Sequence, residues 1–124
     1  MLKNMQVLEK ERQEVLSELF SMKKMVWGSF CLIHVKCGKA YCQCAKGKLH
    51  PHQRMSWREN GKSISRAVPK EEHAWIEEMT ENYRRFKELR RRLNAINEEM
   101  NALLDTFEDS VVKKTRKGKV YLEV

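Results

Sequence analysis

Apolar residues recur at three- and four-residue intervals near the start of the chain: Met5, Leu8, Val15, Leu19, Met22 and Val26. That spacing is a heptad seam and predicts an amphipathic helix over residues 4–27. Arg12 stands where the seam expects an apolar side chain. Its stem is expected to lie along the seam while its head snorkels out beside Glu9; a buried charge that fixes register is the alternative. Lys23 and Lys24 suit the negative end of a helix dipole, and Gly28 is read as the helix stop.

The pattern then changes period. Residues 30–36 (Phe-Cys-Leu-Ile-His-Val-Lys) favour a short strand. A cysteine-rich loop is expected from 37 to about 52. Two alternating runs follow, 54–59 and 62–68, joined by Asn60-Gly61. Asn-Gly between such runs predicts a hairpin with a type I′ turn, because both central residues of that turn need positive φ. The register that results pairs Glu59 with Lys62, Trp57 with Ile64 and Met55 with Arg66. Met55, Trp57 and Ile64 then share one face, and Arg54, Arg58, Ser63 and Ser65 share the other.

Pro69 suits the first position of a second helix, with Glu71 and Glu72 in its first turn. Ile76, Met79, Tyr83 and Phe86 carry one seam, and Leu89, Leu93, Ile96, Met100, Leu103 and Phe107 resume it after an extra three-residue step. No Gly or Pro interrupts the run to Asp109. At 1.5 Å per residue this helix is about 60 Å long against about 35 Å for the first. The surplus seam needs a further surface, most simply a second copy of the chain, so a homodimer is expected. Residues 110–124 form a basic tail, read as solvated or as a phosphate-binding arm ending in a strand.

Charge sharpens this picture. Residues 28–70 hold nine Lys or Arg and a single acid, Glu59, an excess equal to the net +8 of the whole protein. A cationic module between long helices points to a polyanionic partner, DNA or RNA. The candidate contacts are Lys39, Lys46, Lys48, Arg54, Arg58, Lys62 and Arg66, with Tyr41 as a stacking ring. Arg84, Lys87 and Arg91 recur along the second helix, where pairing with Glu81 and Glu88 on a solvated face accounts for them equally well. At 124 residues the chain is one domain at most. The longest uncharged run, Met25 to Val35, is too short to cross a bilayer. With charge from Lys3 onward, no secretory leader is read and a cytoplasmic location is expected.

All four cysteines, Cys31, Cys37, Cys42 and Cys44, fall in the same basic stretch. In a reducing compartment such clustering favours metal over disulfide chemistry. Cys37, Cys42 and Cys44 with His50 make three thiolates and an imidazole, a closed tetrahedral set for structural Zn2+. Cys31, His34 and His52 compete for the fourth position, though Cys31 among apolar neighbours is read as a small core residue. A catalytic zinc would need a nearby general base, and only Glu59 is at hand, so no enzymatic activity is expected.

Cys37-Gly-Lys-Ala-Tyr-Cys-Gln-Cys-Ala45 resembles the signature Cys-Gly-Lys-Pro-x-Cys-x-Cys-Ala of a prokaryotic family of small proteins of unknown function. Gly28-Ser29, His50, Ser56-Trp57, Gly61-Lys62-Ser63, Arg66-Ala-Val-Pro69 and the stretch from Asn82 to Leu89 extend the resemblance across roughly residues 27–104. Genes of this kind often accompany transposases, so the resemblance implies an accessory or regulator of a mobile element, with a transposase or similar protein as partner. Ala40 replaces the signature proline. His50-Pro-His-Gln53 stands where the family tends to show His-Gly-Pro-Tyr, which removes a tyrosine and adds His52 as a rival ligand.

The expectation is thus an α+β, mostly helical chain. A metal-tied β-hairpin module (28–68) is inserted between two long helices (1–27 and 69–109) forming an antiparallel coiled coil, followed by the tail (110–124). Its expected role is non-enzymatic nucleic-acid binding. The alternative is a coiled-coil adaptor whose basic patch meets an acidic protein.

Overall fold

The computed structural model describes residues 1–35 and 50–124. The chain is mostly helical with one small sheet: α1 (Leu2–Ser21), β1 (Ser29–Val35), β2 (His50–Glu59), β3 (Lys62–Ala67) and α2 (His73–Arg116). It divides into two compact units, one of Met22–Arg85 and one of Met1–Ser21 with Phe86–Val124.

In the first unit the three strands form an antiparallel sheet in the order β1-β2-β3. The hairpin has the expected register, with Glu59 opposite Lys62, Trp57 opposite Ile64 and Met55 opposite Arg66. Its turn residues have φ of 52° at Asn60 and 77° at Gly61, the left-handed values a type I′ turn requires. β2 starts at His50, so His50, Pro51 and His52 belong to a strand rather than to the expected loop. They pair with Val35, His34 and Ile33. Among the described residues, Met55, Ile76 and Met79 form the buried core of this unit. Thr80 is buried among them, and its hydroxyl donates to the Ile76 carbonyl (2.9 Å), so no polar group is left unpaired there. His73 packs its ring against Phe30 at 5.2 Å and donates from Nε2 to the Val68 carbonyl (2.9 Å).

Two expectations fail at the entry to this unit. α1 stops at Ser21, not Trp27. Residues 22–26 are not helical: Val26 N–H donates to the Met79 carbonyl (3.2 Å), and Asn82 Nδ2 donates to the Lys24 carbonyl (3.0 Å). Gly28 is therefore not a helix cap. It has φ +105°, and a β-carbon there would lie 2.1 Å from the Ser56 carbonyl oxygen. Glycine is needed because β2's backbone occupies that space. At the other end of the sheet, Pro69 precedes a single 3-10 turn, Lys70–Glu72, and the α-helix begins only at His73.

The second unit pairs α1 with the later part of α2. Met1, Leu2 and Met5 line a groove with Leu103, Leu104 and Phe107, while Glu11 and Arg12 reach Arg92 and Asn97, so the two segments run antiparallel. Val15, Leu19, Leu89 and Ile96 are the buried seam positions, as the heptad spacing predicts. Arg12 does approach Glu9 (3.3 Å), but its Nε also donates across to Asn97 Oδ1 (3.3 Å), so the seam carries a polar cross-link. Arg92 donates two hydrogen bonds to Glu11 (2.6 and 2.7 Å), which lowers the Glu11 carboxyl below its usual range. Any stability from this pair is present above that range and lost as pH falls through the lowered value.

α2 runs past Asp109 to Arg116. The tail contains no strand. Val120–Leu122 is a 3-10 turn, entered through Gly118 (φ +81°), and Arg116 Nε donates to the Leu122 carbonyl (2.8 Å). Folding back onto Arg116 satisfies that carbonyl, where an added strand would need a free sheet edge.

Gly28→Ala should destabilise the protein by at least about 3 kcal/mol, since positive φ and a backbone clash act together. Urea unfolding would show this as a lower midpoint. An unchanged midpoint would mean that β2 does not approach Gly28 closely.

Candidate functional site

Side chains alternate across a strand, so the hairpin register sorts the basic residues into two sets. Met55 is buried, which assigns Trp57, Ile64, Lys62 and Arg66 to its face. Arg54, Ser56, Arg58, Ser63 and Ser65 take the opposite face, joined by Cys31 and Ser29 through the pairing of β1 with β2. Ser29, Ser56 and Ser65 stand in one row across all three strands. These small side chains leave the surface low between the two arginines.

Neutral groups hold those arginines. Arg54 Nε donates to Ser65 Oγ (2.9 Å), and a second guanidinium nitrogen donates to the Ser65 carbonyl (3.3 Å). Arg58 donates to the Gly61 carbonyl (3.2 Å). Among the described residues no carboxylate shares this face. Glu59 lies on the other side, where it accepts from Trp57 Nε1 (3.3 Å). The two guanidinium groups are thus oriented without being neutralised, which suits them to an anionic partner.

Lys62 and Arg66, expected in the same patch, fall on the Met55 face; Arg66 donates to the Ser65 carbonyl (3.1 Å). Lys39, Tyr41, Lys46 and Lys48 lie outside the described residues, as do Cys37, Cys42 and Cys44. His50 opens β2 directly opposite Val35, the last residue of β1. The stretch carrying the three cysteines therefore leaves and returns at adjacent strand ends. Among the described residues no three His, Cys, Asp or Glu side chains gather as metal ligands would.

Cys31 is exposed, which corrects its reading as a core residue. Its apolar neighbours in sequence are misleading, because in β1 it pairs with Arg54 and shares the open face. On α2, Arg84 pairs with Glu81 (2.5 Å), and Arg92 pairs with Glu11 and Glu99. Those two cations belong to ion-paired faces.

Charge divides with the fold. The sheet-bearing unit has thirteen basic and six acidic residues, net +7, and the helical unit twelve and eleven, net +1. Almost all of the excess charge therefore travels with the sheet.

Residues 5–78 match the family described as a domain of unknown function (DUF6788), a match that spans most of α1, the whole sheet and the start of α2. That is more than half of the chain, and the protein belongs to this family. Comparison with curated proteins and with solved structures gives no match.

Cys31 in the native protein should react with iodoacetamide without denaturant, as peptide mass mapping would show. Protection until urea is added would place it in the interior instead.

Proposed function

We propose that this protein binds DNA or RNA without catalysing a reaction, as an accessory or regulatory factor of a mobile element. Arg54 and Arg58 contact phosphates from the open face of the sheet. Lys39, Lys46 and Lys48 add contacts from the adjoining cysteine-bearing stretch, with Tyr41 as a stacking ring, and Lys62 and Arg66 extend the basic surface around the sheet edge. What carries this reading is the open face itself: two arginines oriented by serine and backbone oxygens, with no carboxylate beside them among the described residues. The concentration of net charge in the sheet-bearing unit supports it, since phosphate contacts dominate nucleic-acid affinity.

In the same proposal Cys37, Cys42, Cys44 and His50 hold a structural Zn2+. The placement of His50 at a strand end, at the close of the stretch that carries the thiols, fits such a set. A tetrahedral zinc would tie that stretch with about 10–16 kcal/mol of binding free energy at neutral pH. The helical unit would supply an antiparallel coiled coil and, through apolar positions left open at Leu104, Phe107 and Val111, a homodimer contact. A transposase or related protein remains the implied partner, and the cytoplasm the implied location.

Titration of a labelled oligonucleotide at increasing salt tests the binding. Affinity should fall with a log–log slope of about −0.9 per phosphate contacted on duplex DNA. The double variant Arg54→Ala/Arg58→Ala should flatten that slope by about two contacts' worth. Absence of binding at low salt, with capture of an acidic protein instead, would establish the adaptor reading.

Elemental analysis tests the metal. Zinc is expected bound to the purified protein and lost from Cys42→Ser. Full zinc content in that variant would overturn the ligand set.

A further inference from the structure

Trp27, Trp57 and Trp75 are all the tryptophans of the chain, and they line one open groove of about 420 Å3 within the sheet-bearing unit. They come from three separate places: the turn before β1, the middle of β2 and the first turn of α2. Trp27 is 59% exposed and Trp75 49%. Single exposed aromatics need no explanation, but three converging on one groove do. Among the described residues none of the three indoles is paired with another ring. Their surfaces are left for a guest.

The charge around the groove narrows what that guest is. Arg66 lines it, and its guanidinium donates only to a backbone carbonyl, that of Ser65, among the described residues. Lys62 lies on the same face of β3, opposite Glu59, which accepts from Trp57 Nε1. Glu72 is the one acid of the lining. In a unit of net +7, a cationic guest is repelled and an anionic one drawn in. A nucleotide is a guest that is both flat and anionic. In a duplex the base faces are already stacked inside, so only an unpaired strand can offer them.

We propose that this groove takes unpaired bases of a single-stranded nucleic acid, with the indoles as stacking surfaces and Arg66 on the backbone phosphate. The inference rests on the nucleic-acid reading above and adds a strand preference and a second contact surface, on the other side of the sheet from Arg54 and Arg58.

The test titrates the full chain with an oligothymidylate and with an abasic strand of equal length and charge, at one salt concentration, reading tryptophan fluorescence and anisotropy. The thymidylate should quench the fluorescence and bind about tenfold more tightly than the abasic strand, the scale of one stacked base. Trp75→Ala should remove about that factor for the thymidylate alone, and Trp75→Phe should restore most of it. Circular dichroism reports whether each variant folds, and Trp27→Ala gives the same reading if Trp75→Ala does not. Equal affinity for the two strands, or a folded Trp75→Ala that binds as the parent does, overturns the groove while leaving salt-dependent binding in place. Binding of neither strand overturns this proposal, and failure to bind a duplex as well overturns the nucleic-acid reading with it. Quenching by a proline-rich peptide and not by the thymidylate overturns this one in favour of a polyproline ligand.

Discussion

The left-handed backbone at Asn60 and Gly61 sets the arrangement on which the sheet's chemistry depends. A two-residue type I′ turn permits one register in the hairpin, and register decides the face of every side chain in β2 and β3. A slip of one residue would turn Arg54 and Arg58 toward the core and send Met55 and Trp57 outward. Burial of Met55 against the start of α2 and the need to keep guanidinium groups in water both oppose that slip. Turn, core and cationic face therefore agree, and each reinforces the others.

Helical and sheet units differ in how they use charge. In the helical unit cations meet anions: Arg92 with Glu11 and Glu99, Lys113 with Asp109. Exposed pairs of this kind add little stability but leave a nearly neutral surface. On the open face of the sheet the arginines have hydroxyl and carbonyl partners that fix direction and leave charge intact. The Arg12–Asn97 contact is a third use, a polar link within an apolar seam. It opposes sliding of α1 along α2, because a shifted register would strand both groups.

Local signals were legible in the sequence, and long-range ones were not. The hairpin register could be read because Asn-Gly and two alternating runs lie within a few residues of one another. The buried positions of both helices followed from three-four spacing. The end of α1 was hidden, since Met22 and Val26 continue the helical spacing while being four apart in an extended segment too. What ends the helix is the bonding of Val26 and Lys24 to Met79 and Asn82, distant in sequence. Gly28 misled for the same reason, its role being set by Ser56. Cys31 and the serine row depend on the pairing of β1 with β2. Fourteen residues of sequence separate those strands, so nothing local announced their register. The tryptophan groove likewise joins residues that no sequence window contains together. Cys37, Cys42, Cys44, Lys39, Tyr41, Lys46 and Lys48 lie outside the described residues, so that part of the candidate site stands on sequence alone.

The closing pair of the β1–β2 ladder, Val35 and His50, sets what the fold can carry at that edge. Strand pairing brings two chain ends to about 5 Å of each other whatever connects them. Doubling the length of the connection adds only about 0.6 kcal/mol to the entropy of closing it. The rung thus acts as a mounting point, where a longer or shorter connection would leave every hydrogen bond of the ladder beneath in place.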